Sequence, residues 1–187
     1  MGEFVSRLFI IAAPSGGGKT SLTRALVESM DNLVISVSHT TRPMRSGEKD
    51  GVNYHFISDE KFQALVKQNI FLEHARVFGC WYGTSREWVL SQLSQHIDVI
   101  LEIDWQGAQQ IRQLFKEAVS IFILPPSMEI LRKRLESRGQ DSPSIIDKRM
   151  LAAKEECSHA PEFDYVITND NFDVAVNDLK NIILKYR

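Results

Sequence analysis

Cysteine is scarce in this chain. Only Cys80 and Cys157 occur among 187 residues, and they form no C-x-x-C pair, which excludes a disulfide framework and a cysteine zinc site. An excess of charge of one sign is also missing: 22 Lys plus Arg face 24 Asp plus Glu, for a formal net charge of −2. That balance provides no whole-surface footprint for nucleic acid or for an anionic membrane. Long apolar runs are absent as well. The stretch Leu8 to Ala13 is too short for a secretory or membrane segment and lacks a cleavage-type flank. The five histidines are scattered without metal-ligand spacing, and no repeat or low-complexity tract occurs. With two thiols and no targeting segment, the expected compartment is the cytoplasm. No signal of oligomeric state is present.

What is there is an ordinary globular composition, 43% hydrophobic and 25% charged, in a length that suits one compact unit or one core with a small insert. Leu8-Phe9-Ile10-Ile11-Ala12 reads as a strand buried on both faces. A Gly-rich turn follows, then a helix from Thr20 to Met30. Further strands are expected at Leu33–Val37, Ile97–Ile103, Val119–Leu124 and Tyr165–Thr168, with helices at 106–116, after a Ser127 cap to Glu136, and at the C-terminus. Strands alternating with helices indicate an α/β fold with a parallel sheet flanked by helices. Residues 39–93 break that rhythm. They hold short β-like runs at Tyr54–Ile57 and Phe71–Val77 and a helix at Asp59–Lys67, and read as a small α+β insert. The core is then 1–38 with 94–187. Gly139 to Ser144 reads as a polar loop between two helices.

The strongest motif is Ala13-Pro14-Ser15-Gly16-Gly17-Gly18-Lys19-Thr20. It fits G-x-x-x-x-G-K-[ST] between a strand and a helix, with Ala13 in place of the first Gly. Such a loop turns backbone N–H groups onto phosphate oxygens at a helix N-terminus. Lys19 is then expected on the β- and γ-phosphates and the Thr20 hydroxyl on Mg²⁺. The motif specifies phosphate, not function, because GTPases, helicases and small-molecule kinases share it.

Arg42 and Arg45 flank Pro43 directly after the second strand, and Tyr54 follows on the next loop. Forked guanidinium groups suit a phosphate, although two arginines on a loop also read as solvated surface charges. Glu73 interrupts an apolar strand, either as a site carboxylate or on its wet face. Gly79 to Thr84 reads as an aromatic turn containing Tyr82, and Thr84 with Glu87 also fits a capping box. Glu102 and Asp104 stand two apart on an expected strand, so both are expected on one face at its C-terminal end, where α/β sheets bind ligands. Arg134 and Arg138 are four apart on one helix face.

Taken in order, the Ser-Gly-Gly-Gly-Lys-Thr loop, Ser-His-Thr-Thr-Arg-Pro-Met-Arg with Gly-Glu, Gly-Val-Asn-Tyr-His-Phe, Phe-Leu-Glu-His-Ala, Tyr-Gly-Thr, Asp-Trp-Gln-Gly-Ala, Arg-Leu-Glu-Ser-Arg-Gly and the later Asp-Lys-Arg resemble the bacterial guanylate kinases, nucleoside-monophosphate kinases of the P-loop NTPase fold. The resemblance runs from Arg7 to the last helix. It implies ATP + GMP ⇌ ADP + GDP with Mg²⁺, a GMP-binding insert at 39–93 and a lid at about 137–146. It implies that Arg42, Arg45, Tyr54 and Tyr82 hold the GMP phosphate, and that Ser38, Glu73, Thr84 and Asp104 line the guanine pocket. Arg134, Arg138 and Arg149 are implied over the ATP phosphates, Asn169 near the adenine, and Glu102 at the metal and phosphate site. Guanine presents adjacent N1–H and N2 donors, so one carboxylate at Glu73 can accept from both, whereas adenine lacks that edge. Two other readings compete. A non-catalytic guanylate-kinase-like interaction module would have shed much of this P-loop and lid chemistry. A GTPase would carry an Asn-Lys-x-Asp motif, which is absent.

Overall fold

The computed structural model describes residues 6–139 and 141–187. The expected start of the core at residue 1, and Gln140 of the expected lid, lie outside the described residues. In chain order the elements are β1 (Leu8–Ala12), α1 (Lys19–Glu28), β2 (Leu33–Ile35), β3 (His39–Thr40), β4 (His55–Phe56), α2 (Asp59–Lys67), β5 (Phe71–Val77), β6 (Cys80–Ser85), α3 (Arg86–Ser94), β7 (Asp98–Glu102), α4 (Trp105–Leu114), β8 (Val119–Leu124), α5 (Met128–Ser137), α6 (Pro143–Ser158), a short 3₁₀ turn, β9 (Tyr165–Thr168) and α7 (Phe172–Leu184).

A five-stranded sheet in the order β2-β7-β1-β8-β9 forms the centre, and every pairing in it is parallel. β1 lies in the middle, and all five of its residues are buried because helices cover both faces. Phe9 and Ile11 pack with Leu22 and Leu26 of α1 and Leu179 and Ile183 of α7. Leu8, Ile10 and Ala12 point the other way, against Val89 of α3 and Ala108 and Ile111 of α4. A third cluster, Leu131, Leu135, Ile146, Met150 and Ala153, joins α5 to α6.

The second sheet has four strands in the order β4-β3-β6-β5. β3 runs parallel to β4 and antiparallel to β6, and β5 and β6 form a hairpin. Its strands lie within residues 39–85, and its own aromatic stack centres on Phe62, Phe71 and Trp81. The expected aromatic turn at 79–84 is instead strand β6. The chain reverses earlier, because Val77 pairs with Cys80 and leaves Phe78 and Gly79 as the turn. Thr84 is not the cap of α3 either. Ser85 takes that position, its side chain accepting from the Trp88 N–H, which leaves the Thr84 hydroxyl to donate to Glu73. α5 ends at Ser137 and α6 begins at Pro143, so the connection between them spans 138–142.

Candidate active site

The turn after β1 owes its shape to two glycines. Gly16 and Gly18 have φ of 92° and 91°, in the left-handed region, and Gly18 is the N-terminal cap of α1. A Cβ on Gly18 would collide with the Asn169 side chain, which donates from Nδ2 to the Gly17 carbonyl at 2.9 Å. Asn169, buried just past β9, therefore braces the back of the loop. Its own carbonyl accepts from Arg134 Nη2 at 2.9 Å. The other guanidinium nitrogen, Arg134 Nη1, is buried and has no hydrogen-bond partner among the described residues. Arg134 and Arg138 line a hollow of about 330 Å³ with Gly16, Gly18, Ser21 and Asn169. Asn169 thus meets the loop backbone directly as well as lining this hollow.

On its other side the loop opens into a cleft of about 360 Å³, lined by Ala13, Ser15, Lys19 and Thr20 at one end and by Ser38, Arg42, Arg45, Glu73 and Tyr82 at the other. Lys19 Nζ lies 3.4 Å from the Ile103 carbonyl, and Thr20 is exposed at the first turn of α1. Glu102, at the end of β7, accepts from the Thr23 hydroxyl, and that bond ties β7 to α1. Asp104 is not a second residue of that strand. β7 stops at Glu102, and Asp104 caps α4, accepting from the Gly107 N–H and the Gln106 amide at 2.9 Å each. It still lines the cleft.

At the far end Glu73 is buried and accepts from the Thr84 hydroxyl at 2.7 Å, while Ser38 and Thr84 hydroxyls stand 3.3 Å apart. Gly107 of α4 lies behind the carboxylate, so close that a Cβ there would sit 2.5 Å from Glu73 Oε2. Burial pushes the Glu73 carboxyl up to about 7, Asp104 adding to the rise and Thr84 and Lys19 opposing it. Arg42 is paired with Glu48, which also accepts from the Arg45 N–H at 2.7 Å. The Arg42 guanidinium lies 5.4 Å from the Tyr54 ring, and Tyr54 packs edge-on against Tyr82 with centroids 5.9 Å apart. Burial, with help from Glu102, pushes the Tyr54 phenol up to about 12, so it is a hydrogen-bond donor across physiological pH.

Arg149 enters from α6. Its Nη1 lies 3.3 Å from Ser15 Oγ and 3.2 Å from Asp141. Burial draws this guanidinium below its ordinary value; Asp141 opposes that, while Arg45 and Arg138 add to it. Arg45, Arg138 and Arg149 line the same cleft, and like charges gathered there favour an anion.

The sequence assigns no role to several residues that shape the cleft. Glu156, two helical turns after Arg149, accepts from the Ser15 N–H at 3.2 Å, and burial raises it to about 7. The seven-residue spacing from Arg149 on one helix was its only signal. Thr23, Gly107 and Glu48 act through partners far along the chain or around a loop, and spacing alone does not reveal them.

A glycine-shaped cradle at the carboxyl end of the central parallel strand, at a helix N-terminus, defines this chain as a P-loop nucleotide-binding protein. The guanylate kinase family model matches residues 5–186. The chain is 58% identical over 178 residues to the guanylate kinase of Coxiella burnetii, covering 95% of this chain and 86% of that one. It is 56% identical over 180 residues to that of Saccharophagus degradans, covering 96% and 88%. It is similar to the crystal structure of guanylate kinase from Anaplasma phagocytophilum, with a TM-score of 0.83 and 36% identity over 97% of this chain and 86% of that chain. The chain belongs to the guanylate kinase family. Among the described residues no helix is long and apolar enough to cross a membrane.

Proposed function

We propose that the two ends of the cleft hold the two substrates of one phosphoryl transfer, and that the residues named above divide the work between them. The activity is that of a guanylate kinase, ATP + GMP giving ADP + GDP with Mg²⁺. The observation that carries the assignment is the continuity of the cleft, from Lys19 and Thr20 to Glu73 and Arg42.

In this reading residues 13–20 cradle the donor phosphates. The backbone N–H groups and the helix terminus bear the fixed positive charge, and Lys19 follows the phosphoryl group as charge develops on it. The unpartnered Arg134 Nη1 and the converging Arg138 and Arg149 suit the same anion. Asn169 holds the loop from behind on the side where the nucleoside would lie. No cluster of three or more His, Cys, Asp or Glu suited to a metal occurs among the described residues. That fits Mg²⁺, which keeps several waters and is held largely by substrate phosphates. Thr20 and Glu102 are the residues that would hold it and its waters. When bound, Mg²⁺ neutralises charge on the donor phosphates.

At the acceptor end Arg42, Arg45, Tyr54 and Tyr82 receive the GMP phosphate. Glu73 accepts from the guanine N1–H and N2, with Thr84 or Ser38 donating to O6 and Asp104 completing the pocket. Against adenine, Glu73 would be left buried and unpaired, a penalty that rejects the wrong base. Residues 39–93 form the acceptor insert and about 137–146 the lid, closing to exclude water that would otherwise take the phosphoryl group. The free thiols of Cys80 and Cys157 suit a cytoplasmic enzyme.

The test is ADP release from ATP and Mg²⁺ with GMP, AMP, UMP, CMP and dTMP. Turnover is expected with GMP far above the others. Equal rates for AMP and GMP would sink the role given to Glu73.

A further inference from the structure

The β5–β6 hairpin turns on two residues, Phe78 and Gly79, with φ of 50° and 80°. Two left-handed residues in a two-residue hairpin turn are the setting in which Asn-Gly is favoured. A bulky aromatic at the first of them is a steric outlier. Burial does not compensate for it, because Phe78 is 50% exposed. Its ring lines the cleft and lies 5.9 Å from the Arg149 guanidinium carbon.

We propose that Phe78 is a positioning residue for Arg149, its ring seating the guanidinium so that the acceptor-side hairpin holds a donor-side arginine in place. Arg149 is then met from three directions: by Ser15 of the phosphate loop, by Asp141 of the α5–α6 connection and by Phe78 of the hairpin. An aromatic face against a guanidinium is attractive and leaves the N–H groups at its edge available to oxygen. Because the hairpin belongs to the region proposed to receive GMP, this contact links the acceptor side of the cleft to a donor-side arginine. The strained turn is kept for that contact. This rests on the reading of Arg149 as a residue that acts on the transferred phosphoryl group.

The decisive variant is Phe78→Asn, which suits the turn better than phenylalanine does. Its Tm is expected to equal or exceed that of the parent, while kcat falls by about 3- to 30-fold with little change in KM for either nucleotide. Phe78→Tyr should restore kcat and Phe78→Leu should not. In an Arg149→Ala background, Phe78→Asn should cost nothing further. Native kcat in Phe78→Asn beside a crippled Arg149→Ala would overturn the Phe78 assignment alone. An equal loss from Phe78→Asn with and without Arg149 would overturn it too. Native turnover in Arg149→Ala would remove the reading beneath it, and with it the proposal.

Discussion

In the proposed reading, the two ends of the cleft would hold negative charge by different means. At the donor end the groups are backbone amides, set by left-handed glycines and braced from behind by Asn169. At the acceptor end they are side chains, Arg42, Arg45 and Tyr54 before α2 and Tyr82 on β6, and one of them, Arg42, is already paired with Glu48. A preorganised backbone cradle costs no reorganisation when charge develops, which suits catalysis. A paired arginine must exchange one anion for another, which suits selection of a ligand. Substitutions at the two ends should therefore fail in different ways: losses at the donor end fall on kcat, and losses at the acceptor end on KM and on the choice of base.

The largest effect is expected from Lys19→Met. Steady-state kinetics should show kcat reduced by about 10²- to 10³-fold, the scale for one lost electrostatic stabiliser, with the KM for GMP nearly unchanged. A variant with native kcat and a raised GMP KM would reverse the comparison.

Glu73→Gln sharpens it from the other side. The ratio of kcat/KM for GMP over AMP should fall by about 10- to 100-fold, since a charged acceptor becomes a neutral amide. The same residue supplies a pH signature. Its folded value of about 7 exceeds the ordinary 4.5, so the folded state keeps a proton that the unfolded state releases between those limits. Stability should therefore fall as pH rises from 4.5 to 7, by up to about 3 kcal/mol, and then level off. Glu156, raised to about 7 as well, acts over the same window, so denaturant titrations of Glu73→Gln should show a shallower slope and of Glu73→Gln with Glu156→Gln a nearly flat one. If GMP pairs with the ionised carboxylate as proposed, it should release the proton on binding and bind more tightly as pH rises toward 7.

Arg42→Lys should raise the KM for GMP by about 10-fold with a smaller change in kcat, because an ammonium cannot bridge a phosphate as a guanidinium does. The smallest effect on turnover concerns the insert alone. Burial lowers His39 to about 4, with the neighbouring His55 and Lys61 adding to the fall and Asp50 opposing it. The unfolded chain thus takes up a proton between pH 6.5 and 4 that the folded insert refuses, and stability drops across that window as acid is added. His39→Gln should flatten this acid limb in thermal melts, and an unchanged limb would clear His39 of the effect.

Parts of the molecule that repeat a local rule were legible from the chain. The bounds of β8, β9, α2 and β5 coincide with the expected runs 119–124, 165–168, 59–67 and 71–77. The phosphate loop was legible because its geometry demands glycine at fixed offsets. β6 was not, because Gly79 followed by aromatic residues reads as a turn, and only the Val77–Cys80 pairing shows that the reversal occurs earlier. Asp104 was assigned to a strand face, yet the strand ended two residues before it and the carboxylate capped a helix. Thr84 and Ser85 both satisfy a capping rule, and tertiary demand from Glu73 decided between them. The contacts that assemble the site join Ser15 to Glu156, 141 positions apart, and Gly17 to Asn169, 152 apart. No periodicity spans such distances.

The close approach of α4 to Glu73 has a consequence for how this protein can vary. A single nucleotide change turns a glycine codon into an alanine codon, and at residue 107 the added methyl would fall 2.5 Å from a buried carboxylate oxygen. Alanine is ordinarily the mildest replacement within a helix. Here it would displace Glu73, the residue given the choice of base, from behind. The range of nucleotides this chain can explore by mutation is thus bounded by a helix residue with no side chain at all.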